Sequence, residues 1–184
     1  MTGVPSILAA CLLATALFVV GCDKDETASA PRPQEPTREA TTEFCGMDVL
    51  GHPGPKGQIF LKSRKAPLWF SSARDAIAFT LLPEEPRDVA AIYVNDMGRA
   101  NWDKPEPGTW IEARQAWYVI ESSRTGGMGA AETVPFAERS AAENFARQFR
   151  GRVVAYENIP HDYVLGGDAA ELPDRTGAIP VPPS

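Results

Sequence analysis

The segment FSSARDAIAFTLLPEEPRDVAAIYV, residues 70–94, carries the signature of a helix and then that of a buried strand. Ser72 and Asp75 have the spacing of a capping box, in which a side-chain oxygen accepts the backbone N–H three residues later. Apolar residues then recur at helical intervals until Pro83, which cannot continue a helix. Residues 89–94 form an apolar run of strand length. We therefore predict a small sheet that is covered by one capped helix.

A similar arrangement recurs 66 positions later. Phe70 and Phe79 flank the start of the first helix, and Phe136 and Phe145 occupy the matching positions. Residues 140–143, SAAE, form a second capping-box match, and strands are predicted before and after this helix as well. The sequence therefore predicts an α+β protein of two small similar ββαβ-type domains, each a short sheet covered by one helix. A single α+β domain with coincidental spacing is the alternative.

The N-terminal segment is predicted to be an export signal. Residues 1–22 carry no charged side chain, and the apolar run at 7–20 is shorter than the about 20 residues that span a bilayer. The stretch VVGC, which ends at Cys22, resembles a bacterial lipobox, whose cysteine is lipid-modified; a plain secreted protein with an incidental Cys22 is the alternative. Asp23 resembles a signal for staying on the inner membrane. We therefore expect a lipid-anchored protein that faces the periplasm.

The segment that follows is predicted to be a tether. Residues 23–43 contain no aromatic residue and no Val, Leu, Ile or Met, so they cannot bury enough apolar surface to offset the entropy of ordering. The predicted organisation is a signal peptide (1–21), the lipidated cysteine with a disordered tether (22–43), a first αβ domain (44–108), a second αβ domain (109–166) and a disordered proline-rich tail (167–184).

The composition excludes several classes of function. The 24 acidic and 18 basic residues give a net charge of −6, which argues against a nucleic-acid partner because phosphates are neutralised by clustered Lys and Arg. Three cysteines and two histidines exclude a disulfide-rich scaffold, a four-cysteine zinc site and a three-histidine metal centre. Cys11 lies in the predicted signal peptide and Cys22 would carry lipid, which leaves Cys45 as the free thiol.

Sulfur-bearing residues are the candidates for chemistry. Met47, Met97 and Met128 each adjoin a glycine, and a methionine in such a turn presents its thioether instead of filling a core. Cys45 and Met47 are separated by one glycine, so their sulfurs can chelate a single ion if the backbone turns. Soft sulfur ligands select Cu(I). Zinc prefers Cys, His and carboxylate ligands, and too few Cys and His are available, whereas calcium and magnesium need oxygen ligands. A strand-end turn with one packed methionine is the alternative.

Two further residues are weaker candidates for metal ligation. Met97 follows a predicted buried strand, where it could instead line the domain interface or cap the core. His52 lies in a loop rich in proline and glycine, where a lone histidine is usually solvated.

These motifs together resemble the NosL family, the copper-binding lipoproteins that accompany nitrous-oxide reductase. The matching segments occur in family order and are CGM at 45–47, HPGPKGQ at 52–58, YVNDMGRANW at 93–102 with Pro105, and GMGA at 127–130. The resemblance implies two similar ββαβ domains that hold Cu(I) by sulfur and deliver it for building the copper–sulfur centre of the reductase. It also implies that Cys45 is the thiolate ligand, Met47 the thioether of the same motif and Met128 the thioether from the second domain.

We therefore expect a copper(I) chaperone that is not an enzyme. Its expected partners are nitrous-oxide reductase, its membrane assembly complex, or both, together with the membrane itself through the lipid anchor. One alternative is a scaffold lipoprotein of an assembly complex whose sulfur residues are incidental. The other is an enzyme, because the family resembles organomercurial lyase in architecture; that chemistry needs more than one thiol, and Cys45 stands alone.

Overall fold

A computed structural model describes residues 30–166 of the chain. The predicted signal peptide at 1–21, Cys22, Asp23 and the predicted tail at 167–184 lie outside the described residues. Within the described part, no helix combines the length and the apolarity that crossing a membrane requires.

The first sheet has four antiparallel strands, with helix α1 (Ala73–Leu81) between the second and third in the chain. Its strand order is β2-β1-β3-β4. Apolar side chains of α1 and of the sheet form one buried cluster, as the helical stripe predicted. The strands are β1 (Gly57–Leu61), β2 (Leu68–Phe70), β3 (Val89–Asn95) and β4 (Trp110–Glu112).

The second sheet repeats this topology with three antiparallel strands in the order β6-β5-β7. In both sheets the first strand of the unit lies between the second and the third, and the helix connects the second to the third. This confirms the predicted α+β fold of two similar ββαβ units, to which β4 is an addition. The elements are β5 (Trp117–Ile120), β6 (Val134–Phe136), α2 (Arg139–Phe149), β7 (Arg152–Ala155) and a short final helix, α3 (His161–Leu165), that the sequence analysis missed.

The capping-box prediction is right for α1 and wrong for α2. The side chain of Ser72 accepts the backbone N–H of Asp75 at 3.2 Å, and α1 ends just before Pro83. Ser140, in contrast, lies inside α2, which begins at Arg139 and has Glu138 as its N-cap residue without a side-chain cap bond. The carbonyl of Glu138 already accepts the N–H groups that close the first turn. Ser140 is therefore two positions too late to act as the cap.

The tether prediction fails for residues 30–43, which lie against the first sheet. The backbone of Gln34 exchanges two hydrogen bonds with the buried side chain of Gln58, at 2.9 and 3.0 Å. The carboxylate of Glu35 accepts the N–H of Gly108 and the indole N–H of Trp110. A composition argument counts apolar side chains only, whereas this segment is ordered by polar bonds to residues far along the chain.

We predict that Gly57→Ala destabilises the fold. A Cβ atom at Gly57 would lie 2.4 Å from the Cβ of Ala76, so the substitution would push α1 away from β1. The expected loss in the free energy of unfolding is about 1–3 kcal/mol, as for other overpacked cores. Urea unfolding of the purified protein measures it, with Gly51→Ala as the control because a Cβ at Gly51 meets its neighbours at ordinary distances of 3.6 Å or more. Equal stability of the two variants would contradict the prediction.

Candidate metal centre

Cys45 and Met47 lie at the tip of a short hairpin, residues 40–49, which we call the Cys45 hairpin. Its backbone is closed by hydrogen bonds from Thr42 N to Met47 O and from Gly46 N to Thr42 O, both 2.9 Å. Gly46 has a φ of +67°, a conformation that L side chains rarely adopt. The glycine therefore provides the turn that carries both sulfur-bearing residues on one tip.

The tip of the Cys45 hairpin is fixed to the first sheet by Phe44. The ring of Phe44 packs against those of Phe70 and Phe79, with centroids 5.5 and 6.3 Å apart. The N–H of Glu43 donates to the carbonyl of Trp69 at 2.8 Å, so the hairpin also binds the main chain of edge strand β2. These contacts hold the backbone next to Cys45 in place while its side chain stays outside the core.

Both sulfur-bearing side chains of this hairpin are accessible to solvent. Cys45 is an exposed free thiol, and its Sγ lies 2.8 Å from the hydroxyl oxygen of Thr42. Met47 is 38% exposed. A methionine that is buried in a core cannot bind an ion that arrives from solvent, whereas this pair can.

Met128 lies at the tip of a second tight turn, residues 125–131, which we call the Met128 loop. Gly126 N donates to Ala130 O at 2.8 Å, and Gly129 N donates to Gly126 O at 2.9 Å. Gly129 has a φ of +79°, so glycine again makes the turn possible. Met128 is 54% exposed, the largest exposed fraction among the large hydrophobic residues of the described chain.

The Met128 loop lies directly against residues 52–54, the His52 loop. A Cβ atom at Gly127 would lie 2.5 Å from the Cβ of His52 and 2.8 Å from the carbonyl oxygen of Pro53. Only glycine allows the two backbones to approach this closely. The structure thus brings two predicted site segments, which are 75 residues apart in the sequence, into contact.

The side chain of Lys56 connects the His52 loop to the first sheet. Its ammonium donates to the carbonyl oxygens of Pro53, Gly54 and Ser71 at 3.2, 2.7 and 3.4 Å. Burial lowers the pKa of Lys56 to about 8. Ser71 directly follows the strand on which the Cys45 hairpin packs, and the His52 loop touches the Met128 loop. A continuous series of contacts therefore links the two sulfur-bearing tips.

Met97 is placed differently from the other methionines. It is partly buried and packs against the core cluster of the second sheet, which includes Val119, Val134 and Phe136. Its backbone N–H donates to Pro135 O at 2.8 Å. The sequence left open whether Met97 packs or binds a metal ion. These contacts favour packing.

The chemistry of the donor set points to sulfur. Among residues 30–166, the His, Cys, Asp and Glu side chains do not gather in any group of three that could hold a metal ion. The exposed candidates in this region include the thioethers of Met47 and Met128, and a thioether is a ligand for soft ions such as Cu(I) and a poor one for calcium, magnesium or zinc.

Two buried charged residues beside this region were missed by the sequence analysis. Lys56 is 3% exposed and Glu132 is 1% exposed. The available signal was weak: each follows a glycine-containing loop and precedes a strand, which does not distinguish a buried charge from a solvated one. Their partners lie far away in the chain, so only the tertiary structure identifies them.

Comparison with known proteins shows which family the chain resembles. The family model described as NosL matches residues 33–164. The copper-binding lipoprotein NosL of Achromobacter cycloclastes is 44% identical over 171 residues, which cover 92% of this chain and 86% of that protein. The copper-binding lipoprotein NosL of Stutzerimonas stutzeri is 37% identical over 166 residues, which cover 90% of this chain and 84% of that one.

A solved structure shows the same fold. The crystal structure of the copper chaperone NosL from Shewanella denitrificans matches with a TM-score of 0.64 at 35% sequence identity. The match covers 70% of this chain and 97% of that one.

Proposed function

This chain belongs to the NosL family, and on that premise we propose that it is a copper(I) chaperone that delivers Cu(I) for assembly of the nitrous-oxide reductase copper centre. The observation that carries the proposal is the exposure of Cys45, Met47 and Met128 on two glycine-built tips. A protein that only transports an ion needs accessible ligands and no catalytic group, so we propose no enzymatic activity.

In this proposal Cys45 supplies a thiolate, and Met47 and Met128 supply thioethers to a three-coordinate site. The site would join the two proposed domains, residues 44–108 and 109–166. A soft, low-coordinate site suits delivery because an incoming ligand from the acceptor can enter at an open position. Binding of Cu(I) to a thiol releases its proton.

His52 is a weaker candidate for an additional ligand. The contact between its loop and the Met128 loop places its backbone next to one of the proposed ligands. Met97 is also a weaker candidate, because it packs against the core of the second sheet.

We further propose that the protein is anchored through lipid on Cys22 and faces the periplasm, with the inner membrane favoured by Asp23. Its partners would be nitrous-oxide reductase, its membrane assembly complex, or both. Transfer can be tested by mixing the Cu(I)-loaded protein with the purified assembly complex and following copper on each. Copper that moves no faster to the complex than to a small-molecule chelator would contradict this choice of partner.

X-ray absorption on the Cu(I)-loaded protein tests the ligand set. We predict a copper atom surrounded by sulfur in the native protein, and one sulfur neighbour fewer in the Met128→Leu variant, whose affinity should fall by about tenfold. Leucine keeps the size and apolar character of the side chain without the thioether. The same spectra count nitrogen neighbours and so decide the role of His52.

The control for that experiment is Met97→Leu, which should leave the sulfur count unchanged. An unchanged count in Met128→Leu would remove Met128 from the site. A protein that fails to compete with a copper chelator would instead favour a scaffold lipoprotein with incidental sulfur residues.

A further inference from the structure

Glu132 joins the two units through its side chain. It follows the Met128 loop and precedes β6, and its Oε1 accepts the backbone N–H of Arg74 at 2.9 Å and the hydroxyl of Ser72 at 3.3 Å. Ser72 and Arg74 form the N-terminal end of α1, where backbone N–H groups lack partners within the helix. A carboxyl group of the second unit therefore caps the helix of the first.

The other carboxyl oxygen of Glu132 faces the Met128 loop. Oε2 is fully buried and has no hydrogen-bond partner among residues 30–166. A Cβ atom at Gly126 would lie 2.7 Å from it, so this oxygen lies against the loop backbone at Gly126. A buried oxygen without a partner is costly, and an apolar residue in its place would avoid that cost. This cost distinguishes Glu132 from an apolar residue whose side chain only fills space in the core.

Three more hydrogen bonds fix the end of the Met128 loop to its surroundings. Arg74 Nη1 donates to the carbonyl of Ala131 at 3.2 Å, and Arg74 Nε donates to that of Val164 at 2.9 Å. The hydroxyl of Tyr163 donates to the carbonyl of Glu132 at 2.9 Å. One end of the loop is therefore held by both main chain and side chain, while Met128 at its tip stays exposed.

We propose that Glu132 is a positioning residue of the copper site, which clamps the Met128 loop to the first turn of α1 and so fixes the thioether of Met128 relative to the first unit. This inference rests on the proposed function. Glu132 does not bind the ion; it acts through Met128, and its loss lowers the affinity by releasing that ligand.

The protonation state of Glu132 indicates which conservative substitution to use in the test. The groups around it are Arg74 and Asp75 on α1, Lys56 before β1 and Tyr163 on α3. Burial raises its pKa to about 8, so at pH 7 the carboxyl group is mostly neutral. Glutamine has the same shape as the neutral acid and keeps an oxygen acceptor for the N–H groups of Arg74 and Thr133.

The test measures Cu(I) affinity by chelator competition in a double-mutant cycle, using the purified protein. Glu132→Ala is expected to lower the affinity about tenfold when Met128 is present and to have no further effect when Met128 is replaced by leucine. Glu132→Gln is expected to retain most of the native affinity. The matched control is Tyr118→Phe, which removes another buried hydrogen bond, to Ala113 O, and should lower the melting temperature without changing the affinity.

If Glu132→Ala does not fold, a second variant still tests the inference, because it perturbs the contact between Glu132 and the Met128 loop from the side of the loop. Gly126→Ala places a methyl group against Oε2 and is expected to lower the affinity in the same Met128-dependent way.

Equal losses with and without Met128 would overturn the inference, since Glu132 would then act on the whole fold. An unchanged affinity in both Glu132→Ala and Gly126→Ala would also overturn it while leaving the proposed function intact. A native protein without measurable Cu(I) affinity would overturn the proposed function and this inference together.

Discussion

The Cys45→Ser variant is expected to lose at least about 100-fold in Cu(I) affinity while its fold is unchanged. Removal of a group that only supports a metal ligand already costs 10- to 100-fold, so loss of the thiolate itself should cost more. A serine hydroxyl is a hard donor that stays protonated near neutral pH, and it cannot replace a thiolate toward a soft ion. Two thioethers alone would then have to hold the copper.

The fold should survive this substitution because the Cys45 side chain is exposed. Its polar neighbour is the hydroxyl of Thr42, which can form a hydrogen bond with serine as well. The hairpin itself is held by main-chain bonds and by the packing of Phe44. Surface substitutions of this kind change the free energy of unfolding by about 0.5 kcal/mol or less.

Chelator competition gives the affinity of the Cys45→Ser variant, and urea unfolding gives its stability. Thr42→Val is the control, because it removes the neighbouring hydroxyl and leaves the thiol in place. An affinity that is unchanged in Cys45→Ser would show that this cysteine is not a ligand. A loss of equal size in Thr42→Val would trace the effect to the shape of the hairpin.

The second large effect is a loss of stability as the pH rises from about 5 to 8. The pKa of Glu132 is raised from 4.5 to about 8 in the folded protein because the carboxyl group is buried. Between these two values the unfolded chain releases a proton that the folded chain keeps, so stability falls as the pH rises. The expected slope from this residue is about 1.4 kcal/mol per pH unit, and its total is on the order of 4 kcal/mol.

Lys56 reverses the trend above pH 8. Its pKa is lowered from 10.5 to about 8 in the folded protein. Between pH 8 and 10.5 the unfolded chain binds a proton that the folded chain lacks, so stability rises again with pH. The two buried groups together predict a minimum of stability near pH 8.

Urea unfolding at pH 5, 6.5 and 8 tests this prediction when the native protein is compared with Glu132→Gln. The variant cannot titrate at this position and should lose most of the downward slope. Taking the difference between the two proteins cancels the exposed carboxylates, such as Asp88 and Glu106, whose lowered pKa values act in the opposite direction. Parallel curves for the two proteins would mean that Glu132 does not hold its proton in the folded state.

The two capping-box matches show how well a local sequence pattern predicts the first residue of a helix. The match at Ser72 predicted the start of α1 correctly, and Pro83 predicted its end. The same pattern at Ser140 was misleading, because the turn closes two residues earlier, through the carbonyl of Glu138. A pattern four residues long cannot separate two starts that differ by two positions, since both offer the backbone nearly the same bonds.

The residues of the candidate site also fall into two groups: those that a local sequence pattern identified and those that it did not. Cys45, Met47 and Met128 stood out in the sequence because glycine beside a sulfur residue predicts an exposed turn, and the structure shows those turns. Lys56 and Glu132 did not stand out, since a charged residue is solvated unless distant groups enclose it. No local pattern indicates that Glu132 accepts the N–H of Arg74, which lies 58 residues earlier.

The features that could be predicted from the amino-acid sequence are those with local causes: the repeated ββαβ pattern, the turns beside the sulfur residues and the segments shared with the NosL family. The contacts between distant groups became visible only in the folded chain, including those of residues 31–35 with the first sheet and of the Met128 loop with the His52 loop. The two kinds of feature differ because their causes act over different distances along the chain. Propensities and caps act over a few residues, whereas burial and hydrogen bonding depend on whichever surfaces the folded chain brings together.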